Sequence, residues 1–237
     1  RCCGPLDLLV QTLAVLTADD AALRDELRTG LHGVALAAPD GDSLRLLGAR
    51  DATLALVAEP EGALLLDVAD VATEERPSLD PATSMRVITS GTPRTVDAAA
   101  DEAVWSLGQL GVAAMLVGIA EAALDRTVAY AKIRETFGRR IGTYQAVRHA
   151  CADMALRAEA ALKEGREDAP VHLDAAKHLA NRAALANADA CIQLHGGIGV
   201  TDEHDAHLLL KHALLLSRLF GTKRELLARL LHAELEV

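Results

Sequence analysis

Aromatic residues are scarce in this sequence, at 2% of its 237 residues. The cores of β-sandwiches and β-barrels rely on aromatic and β-branched side chains, so the composition disfavours both folds. Hydrophobic residues still make up 51% of the chain and charged residues 24%, which excludes global disorder. The core must therefore be aliphatic, built from Ala, Leu and Val, and this suits packed helices.

Basic residues are also fewer than acidic ones. The chain has 24 Lys and Arg residues against 34 Asp and Glu, which gives a net charge of −10. Such a chain is a poor general binder of nucleic acid or anionic membranes. No apolar run reaches the roughly 18 residues of a transmembrane helix. We therefore predict partners other than nucleic acid or a membrane.

The sequence lacks the motifs of two common catalytic centres, a metal site and a serine hydrolase. The four cysteines form neither a CxxC pair nor another metal-binding pattern, and a reducing cytoplasm is the expected location. His204, His207 and His212 share one segment, but the Glu-x-x-His motif of di-iron bundles does not occur. No Gly-x-Ser-x-Gly elbow is present either. We expect these histidines to be solvated or to cap a helix.

The periodicity of the chain changes near residue 100. Apolar residues recur at helical spacing over 5–18 and 19–29, which predicts two helices. Short apolar runs bounded by Gly and Pro follow and predict antiparallel strands at 34–38, 44–47, 53–58, 63–71 and 85–89. Beyond residue 100 the pattern predicts helices over about 101–134, 143–163, 172–194, 203–219 and 222–236. Thr143, Thr201 or Asp202, and Thr222 are the expected N-caps. The fold class is therefore α+β but mainly α, with a C-terminal up-down bundle.

Two glycine-containing links join the predicted helices of the bundle. The first, 134–142, carries three arginines and one phenylalanine, and the second, 193–199, contains three glycines. Bare glycine backbone and arginine side chains are typical of phosphate sites. Ordinary helix-linking turns with glycine C-caps would look the same, so the residues alone leave both interpretations open.

At these links the chain resembles the acyl-CoA dehydrogenase family. Residues 130–149 with 152–154 are similar to one family signature, and residues 193–204 to a second. The resemblance is clear over 100–237, the C-terminal helical bundle. It implies a shortened middle β-domain over 31–99 and a remnant of the N-terminal helical domain over 1–30. In that family FAD takes a hydride from an acyl-CoA thioester while a glutamate removes the α-proton.

The resemblance implies contacts with FAD, mostly with the FAD of a neighbouring subunit. The matching positions are Arg134, Thr136 and Phe137 across the dimer, Ile141, Tyr144 and Gln145 at the adenine end, Gln193, Gly196 and Gly197 near the pyrophosphate and ribose, and Thr222 near the flavin.

The positions for catalysis depart from the family. The usual glutamate position is Phe220, and the alternative position on the first bundle helix is Gly108. Phenylalanine and glycine have no side-chain proton acceptor. Ser106 and Gln109 replace the family's substrate-binding Asp and Arg, and residues 37–41 lack the hydroxyl of its flavin-touching loop.

This pattern of loss leads to one main hypothesis and two alternatives. The main one is a non-catalytic subunit that completes the FAD site of a homologous catalytic subunit. The two kinds of subunit would form an α2β2 heterotetramer. Its substrate would be a bulky acyl-CoA, such as a steroid side-chain thioester. The first alternative is a self-sufficient homo-oligomeric enzyme acting on an acyl-CoA or an acyl carrier, with Asp101 or Glu102 as a relocated base. The second is a structural scaffold without flavin.

Overall fold

The computed structural model describes residues 4–41, 43–99, 102–164 and 170–232. The chain divides into two compact units, Arg1–Gly111 and Val112–Val237. The first unit contains two helices, α1 (Pro5–Thr17) and α2 (Ala21–Thr29), as the helical spacing predicts. The Asp20 carboxylate accepts a hydrogen bond from the Leu23 backbone N–H at 2.8 Å and so caps α2.

A seven-stranded sheet follows the two helices. Its strands are β1 (Val34–Asp40), β2 (Ser43–Gly48), β3 (Leu54–Glu59), β4 (Gly62–Asp67), β5 (Ala72–Arg76), β6 (Met85–Ser90) and β7 (Arg94–Ala99). The spatial order is β5-β6-β2-β1-β3-β4-β7. One face buries a small aliphatic cluster that includes Ala35, Leu46, Ala55 and Ile88. The core of this unit is therefore aliphatic, as the composition requires.

The sheet differs from the predicted one in two respects. β1 and β3 pair in parallel, with Val34 opposite Leu54, whereas every other described pair is antiparallel. β2 pairs with one edge of β1, and β3 pairs with the other edge. The connection between β2 and β3 turns the chain back, so that β3 runs in the same direction as β1. The edge strands β5 and β7 were not predicted, because their largely exposed residues give no buried apolar alternation. Charged edge residues such as Glu74 and Glu75 oppose pairing with another chain.

The second unit is helical. α3 (Glu102–Ile133) begins in the first unit and ends in the second. After it come a two-stranded hairpin, β8 (Glu135–Thr136) and β9 (Arg139–Arg140), a 3-10 turn (Ile141–Thr143) and α4 (Gln145–Glu164). α5 (Pro170–His195), a second 3-10 turn (Gly196–Val200), α6 (Ala206–Leu216) and α7 (Lys223–His232) complete it. α5 packs against α4, α6 and α7. The central helix thus organises the unit.

Two of the predicted caps are wrong. The Thr143 hydroxyl donates to the Arg140 carbonyl at 2.7 Å within the 3-10 turn, so it does not cap α4. α6 begins at Ala206 rather than at Glu203, because the segment after Thr201 forms turns. Thr222 does cap α7, since its hydroxyl accepts from the Glu225 N–H at 3.4 Å. The predicted end of that helix near Glu236 lies outside the described residues.

Among the described residues, α3 alone is long and apolar enough to span a membrane. The most apolar 18-residue window of α3 has a mean hydropathy of 1.7, and half of that window is buried inside the protein. A core helix that packs on several sides gives the same signal. The three-part domain division and the absence of a membrane partner both stay predictions.

Candidate flavin-contacting site

The first signature forms a tight hairpin at the end of α3. β8 and β9 pair with Thr136 opposite Arg139, so the turn consists of Phe137 and Gly138 alone. Both turn residues have positive φ, 50° and 75°, as a type I′ turn requires. A bulky residue seldom adopts this backbone, and the Phe137 side chain is 98% exposed. The hairpin therefore holds an aromatic ring away from the protein in a strained conformation.

The base of the hairpin is rigidly anchored. The Tyr144 hydroxyl donates to the Thr136 carbonyl at 2.9 Å, and the Arg139 guanidinium lies 4.0 Å from the centroid of the Tyr144 ring. The Arg139 side chain is also the main cause of a lowered pKa for Tyr144. A Cβ atom on Gly142 would lie 2.8 Å from the Ala131 carbonyl oxygen, so only glycine permits this approach to α3. Ile141 is buried and fixes the turn from inside.

Exposed cations surround the hairpin. Arg134 and Arg140 are exposed, and neither has an ion-pair partner among the described residues. Arg140 also lines a cavity of about 410 Å³ together with Lys132 and Arg148. Because these positive charges are not neutralised within the described chain, they are available to an external anion.

The second signature forms the 3-10 turn after α5. Gly196 has a φ of 65° and ends the helix in the left-handed conformation. A Cβ atom on Gly196 or Gly197 would meet nothing within 4 Å, whereas one on Gly199 would lie 2.6 Å from the Ile192 carbonyl oxygen. The turn is thus packed on the Gly199 side and open on the side of the first two glycines. Gln193, one turn earlier, is exposed.

An aromatic cluster brings the two signatures to the same end of the bundle. The Tyr130 ring, one turn before Arg134, stacks on the His195 ring with centroids 4.2 Å apart. The His204 ring also contacts the His195 ring, with the two centroids 4.3 Å apart. His195 Nδ1 is 2.7 Å from the Cys191 carbonyl oxygen, so this nitrogen carries the proton. Burial is the main cause of a lowered pKa for His195.

The contact between the Tyr130 and His195 rings was not predicted from the sequence. Tyr130 and His195 lie inside the two signatures, but their pairing joins residues 65 apart in sequence. Two of the three histidines that the sequence groups in one segment contact the nearby backbone. His204 Nδ1 accepts from the Ala206 N–H at 3.1 Å, and His207 Nδ1 donates to the His204 carbonyl at 2.9 Å. His204 thus satisfies the first backbone N–H of α6 from the position before the N-cap, Asp205, which makes no side-chain capping bond. Among the described residues, no group of three metal-ligating side chains could hold an ion.

Thr222 lies apart from these two loops. It borders a cavity against the middle of α5, near Asn181. Asn181 and Gly196 are about fifteen residues apart, which is roughly 22 Å along a helix. The residues assigned to a neighbour's FAD thus cluster at one end of the bundle, whereas Thr222 sits elsewhere. Gln145 is exposed at the start of α4.

The usual catalytic position is filled by a hydrophobic ring. Phe220 is 5% exposed and has a φ of 51°, next to Gly221 with a φ of 106°. Gly108 is buried on α3, and Gln109 on the same helix is also buried. None of these residues carries a carboxylate. Glu102 is exposed at the first residue of α3, and Asp101 lies outside the described residues.

Residues 37–41, which resemble the flavin-touching loop of the family, form part of a β-hairpin. Ala37 and Ala38 pair with Leu46 and Arg45, and Gly41 takes a φ of 62° in the turn. Residues 37–40 are therefore paired with β2 on one side, whereas the pairing of β1 with β3 ends at Leu36. The segment carries no side-chain hydroxyl.

Comparison with known proteins agrees with this geometry. The model of the acyl-CoA dehydrogenase C-terminal domain matches residues 99–235. Acyl-CoA dehydrogenase FadE34 of Mycobacterium tuberculosis is 35% identical over 239 residues, which is 90% of this chain and 34% of FadE34. Acyl-CoA dehydrogenase IpdE2 of the same organism is 36% identical over 83% of this chain and 67% of IpdE2. The chain thus spans about a third of FadE34 and two thirds of IpdE2.

A solved structure shows the same architecture. A variant of the Tcur3481-Tcur3483 steroid ACAD superposes with a TM-score of 0.75 at 26% identity, over 94% of this chain and 74% of that one. The helical unit with its two signature loops defines the C-terminal domain of an acyl-CoA dehydrogenase. The chain belongs to the acyl-CoA dehydrogenase family.

Proposed function

We propose that this chain is the non-catalytic subunit of a heteromeric, FAD-dependent acyl-CoA dehydrogenase. It would pair with a homologous catalytic subunit, as α2β2, and complete the FAD site of that partner. The observation that carries the proposal is a contrast within one chain. The exposed Phe137 hairpin retains its unpaired cations, whereas a buried phenylalanine, Phe220, replaces the general base.

The outward-facing loops suit a dinucleotide. A diphosphate needs positive charge and close backbone approach, which Arg134 and the open face of Gly196 and Gly197 can supply. The exposed Phe137 ring offers an apolar face to a planar group. FAD, when bound, accepts the hydride that leaves the acyl thioester. The residues of this chain would only hold and orient it.

The chain's own catalytic positions do not suit the reaction. General-base work needs a proton acceptor near the α-carbon, and Phe220 and Gly108 provide none. Ala37 and Ala38 are paired with β2 and have no hydroxyl to offer a flavin ring. The partner subunit would therefore supply the glutamate, most of the acyl-CoA pocket and its own flavin loop.

The two-component steroid enzyme supports a heteromer. The name of that relative, Tcur3481-Tcur3483 steroid ACAD, joins two components and gives a steroid substrate class. By analogy we propose a bulky acyl-CoA, such as a steroid side-chain thioester, as the substrate of the complex. We also propose a cytoplasmic location, supported by Cys151 and Cys191, which are both free thiols.

The test is the flavin content of this chain alone and with its partner. Bound oxidised flavin absorbs at about 450 nm, and the apoprotein does not. We expect a colourless protein that gains flavin and activity only with a homologous catalytic chain. One flavin per chain in the isolated protein would contradict the proposal.

Two sets of variants sharpen this test. Arg134→Ala should lower the flavin content of the complex, whereas Arg28→Ala, which removes an exposed arginine in the first unit, should not. An unchanged flavin content with Arg134→Ala would favour a scaffold. Replacing Asp101 and Glu102 by Asn and Gln should leave turnover of the complex intact. Loss of turnover would instead indicate a relocated base on this chain.

A further inference from the structure

A large cavity lies among α5, α6 and α7, away from the two signature loops. Its volume is about 910 Å³, and all its lining residues belong to the second unit. One part of the wall is aliphatic and is formed by Leu185, Leu214, Leu227 and Leu231. A cavity of this size with an apolar wall can take a small organic molecule. We call it the α5–α7 cavity.

The other part of the wall is positively charged. Arg182, Arg218, Lys223 and Arg224 line it, and its lining contains no aspartate or glutamate. None of the four has an ion-pair partner in the described ranges. The chain as a whole carries a net charge of −10. Four cations around one cavity, without ion-pair partners among the described residues, therefore run against its composition. The field inside the cavity therefore favours an anion.

A buried amide at the wall also lacks a partner. Asn181 is 5% exposed, and its Nδ2 has no hydrogen-bond partner within the described chain. Its Oδ1 accepts from the fully buried Lys177 Nζ at 2.8 Å, and that Nζ also donates to the Leu216 carbonyl at 3.3 Å. Lys177 thereby fixes the orientation of the amide and leaves the two N–H donors of Asn181 for another group. An unsatisfied buried donor is costly, so an acceptor there would be favoured.

The adjacent histidine reports the same positive field. His178 lines the cavity, and its buried Nδ1 also has no partner in the described structure. Burial lowers the pKa of His178, and the nearby charges of Arg182 and Lys223 lower it further. These two cations are therefore close enough to act together on one bound group.

We propose that the α5–α7 cavity binds an anion that carries an apolar chain, such as an alkyl carboxylate or alkyl phosphate. The head group would accept hydrogen bonds from the Arg182 and Lys223 side of the wall, with the Asn181 amide as a further donor. The chain would lie along the leucine wall. This site lies apart from the two signature loops, although Thr222, which the resemblance places near the flavin, borders it. The proposal does not depend on the proposed function.

Calorimetric titration of the purified chain with decanoate and with decyl phosphate tests the proposal. Inorganic phosphate serves as the head group alone and 1-decanol as the chain alone. We expect both amphiphiles to bind more tightly than either fragment, and their relative affinities show which head group the site prefers. No heat of binding for either amphiphile at about 1 mM would overturn the proposal. Equal binding of 1-decanol would overturn it as well, because it would show an apolar groove without anion recognition.

Variants locate the site. Arg182→Gln with Arg218→Gln should weaken binding about tenfold or more, whereas the matched pair Arg28→Gln with Arg76→Gln in the first unit should not. Asn181→Asp should also weaken binding, because it places a carboxylate at the wall. Unchanged affinity in the cavity variants would refute the assignment.

A spectroscopic readout distinguishes this site from general detergent binding. A bound anion should raise the pKa of His178, followed by NMR, because it offsets the charges of Arg182 and Lys223. An unmoved His178 titration would contradict the proposal. Thr222 borders the cavity, so FAD is added as a competitor. Displacement of decanoate by FAD would assign the cavity to flavin and overturn the inference.

Discussion

The buried Lys177 should make the stability of this protein depend strongly on alkaline pH. Its side chain is fully buried, and burial lowers its pKa from 10.5 to about 7. A shift of that size corresponds to about 5 kcal/mol of cost for folding with the charged form. The full cost is present below pH 7, where both the folded and unfolded states are protonated. It disappears as the pH rises to 10.5, where the unfolded state loses its proton as well.

The variant Lys177→Met isolates this effect. Between about pH 7.5 and about pH 9.5 the unfolded wild-type chain holds about one proton more than the folded chain at this residue, so its unfolding free energy should rise by about 1.4 kcal/mol per pH unit relative to the variant. Methionine cannot donate to Asn181 or to the Leu216 carbonyl, and that loss costs about 1–3 kcal/mol at each group left unsatisfied. This second effect is independent of pH, so the slope and not the offset is the signal.

Urea denaturation followed by far-UV circular dichroism measures the slope. Over the same range the difference between wild type and variant should change by about 3 kcal/mol in favour of the wild type. Lys132→Met, which replaces an exposed lysine on α3, should give no change in slope. Parallel curves for wild type and Lys177→Met would refute the reasoning, because Lys177 would then keep an ordinary pKa in the folded state.

Three further predictions concern the signature loops. Gly199→Ala should lower the melting temperature, because its Cβ would lie 2.6 Å from a backbone carbonyl, whereas Gly197→Ala should leave it unchanged yet reduce flavin content in the complex; equal melting temperatures would contradict this. Phe137→Asn should stabilise the isolated chain by about 1 kcal/mol, since asparagine tolerates positive φ, and should lower flavin content in the complex; a destabilised chain in thermal denaturation would count against the strained turn. Tyr144→Phe should cost about 1 kcal/mol in thermal or urea denaturation through loss of its hydrogen bond to the hairpin, and an unchanged stability would show that this bond contributes nothing.

The helices were predictable because burial follows their periodicity. α1 buries Leu6 and Leu13, which recur at helical spacing, and the structure bounds this helix within one residue of the prediction. The edge strand β5 was not predictable in the same way. Residues such as Glu74 and Glu75 are exposed, so nothing in the local sequence distinguishes this strand from a loop. Its pairing with β6 depends on the rest of the sheet.

In the candidate site too, the positions of the links were predictable from the sequence and contacts between helices were not. The two links were located from their glycines and from the family resemblance. The β8–β9 hairpin was not predicted, because Phe137 takes a positive φ that such a residue seldom adopts. The stacking of Tyr130 on His195 and the cations around the α5–α7 cavity could not be found this way. Both features bring together side chains from different helices, and no local pattern records which helix faces will meet.

The sheet also sets the order in which the protein can fold. β2 pairs with β6 and β4 with β7, so Arg45 meets Val87 and Ala63 meets Ala99 across long stretches of chain. In the helical unit, α5 packs on its sequence neighbours α4 and α6. Closing long loops slows folding, whereas local contacts speed it. The sheet leaves the ribosome before the helical unit but should close after it, and its unpaired edges are exposed to other chains during that delay.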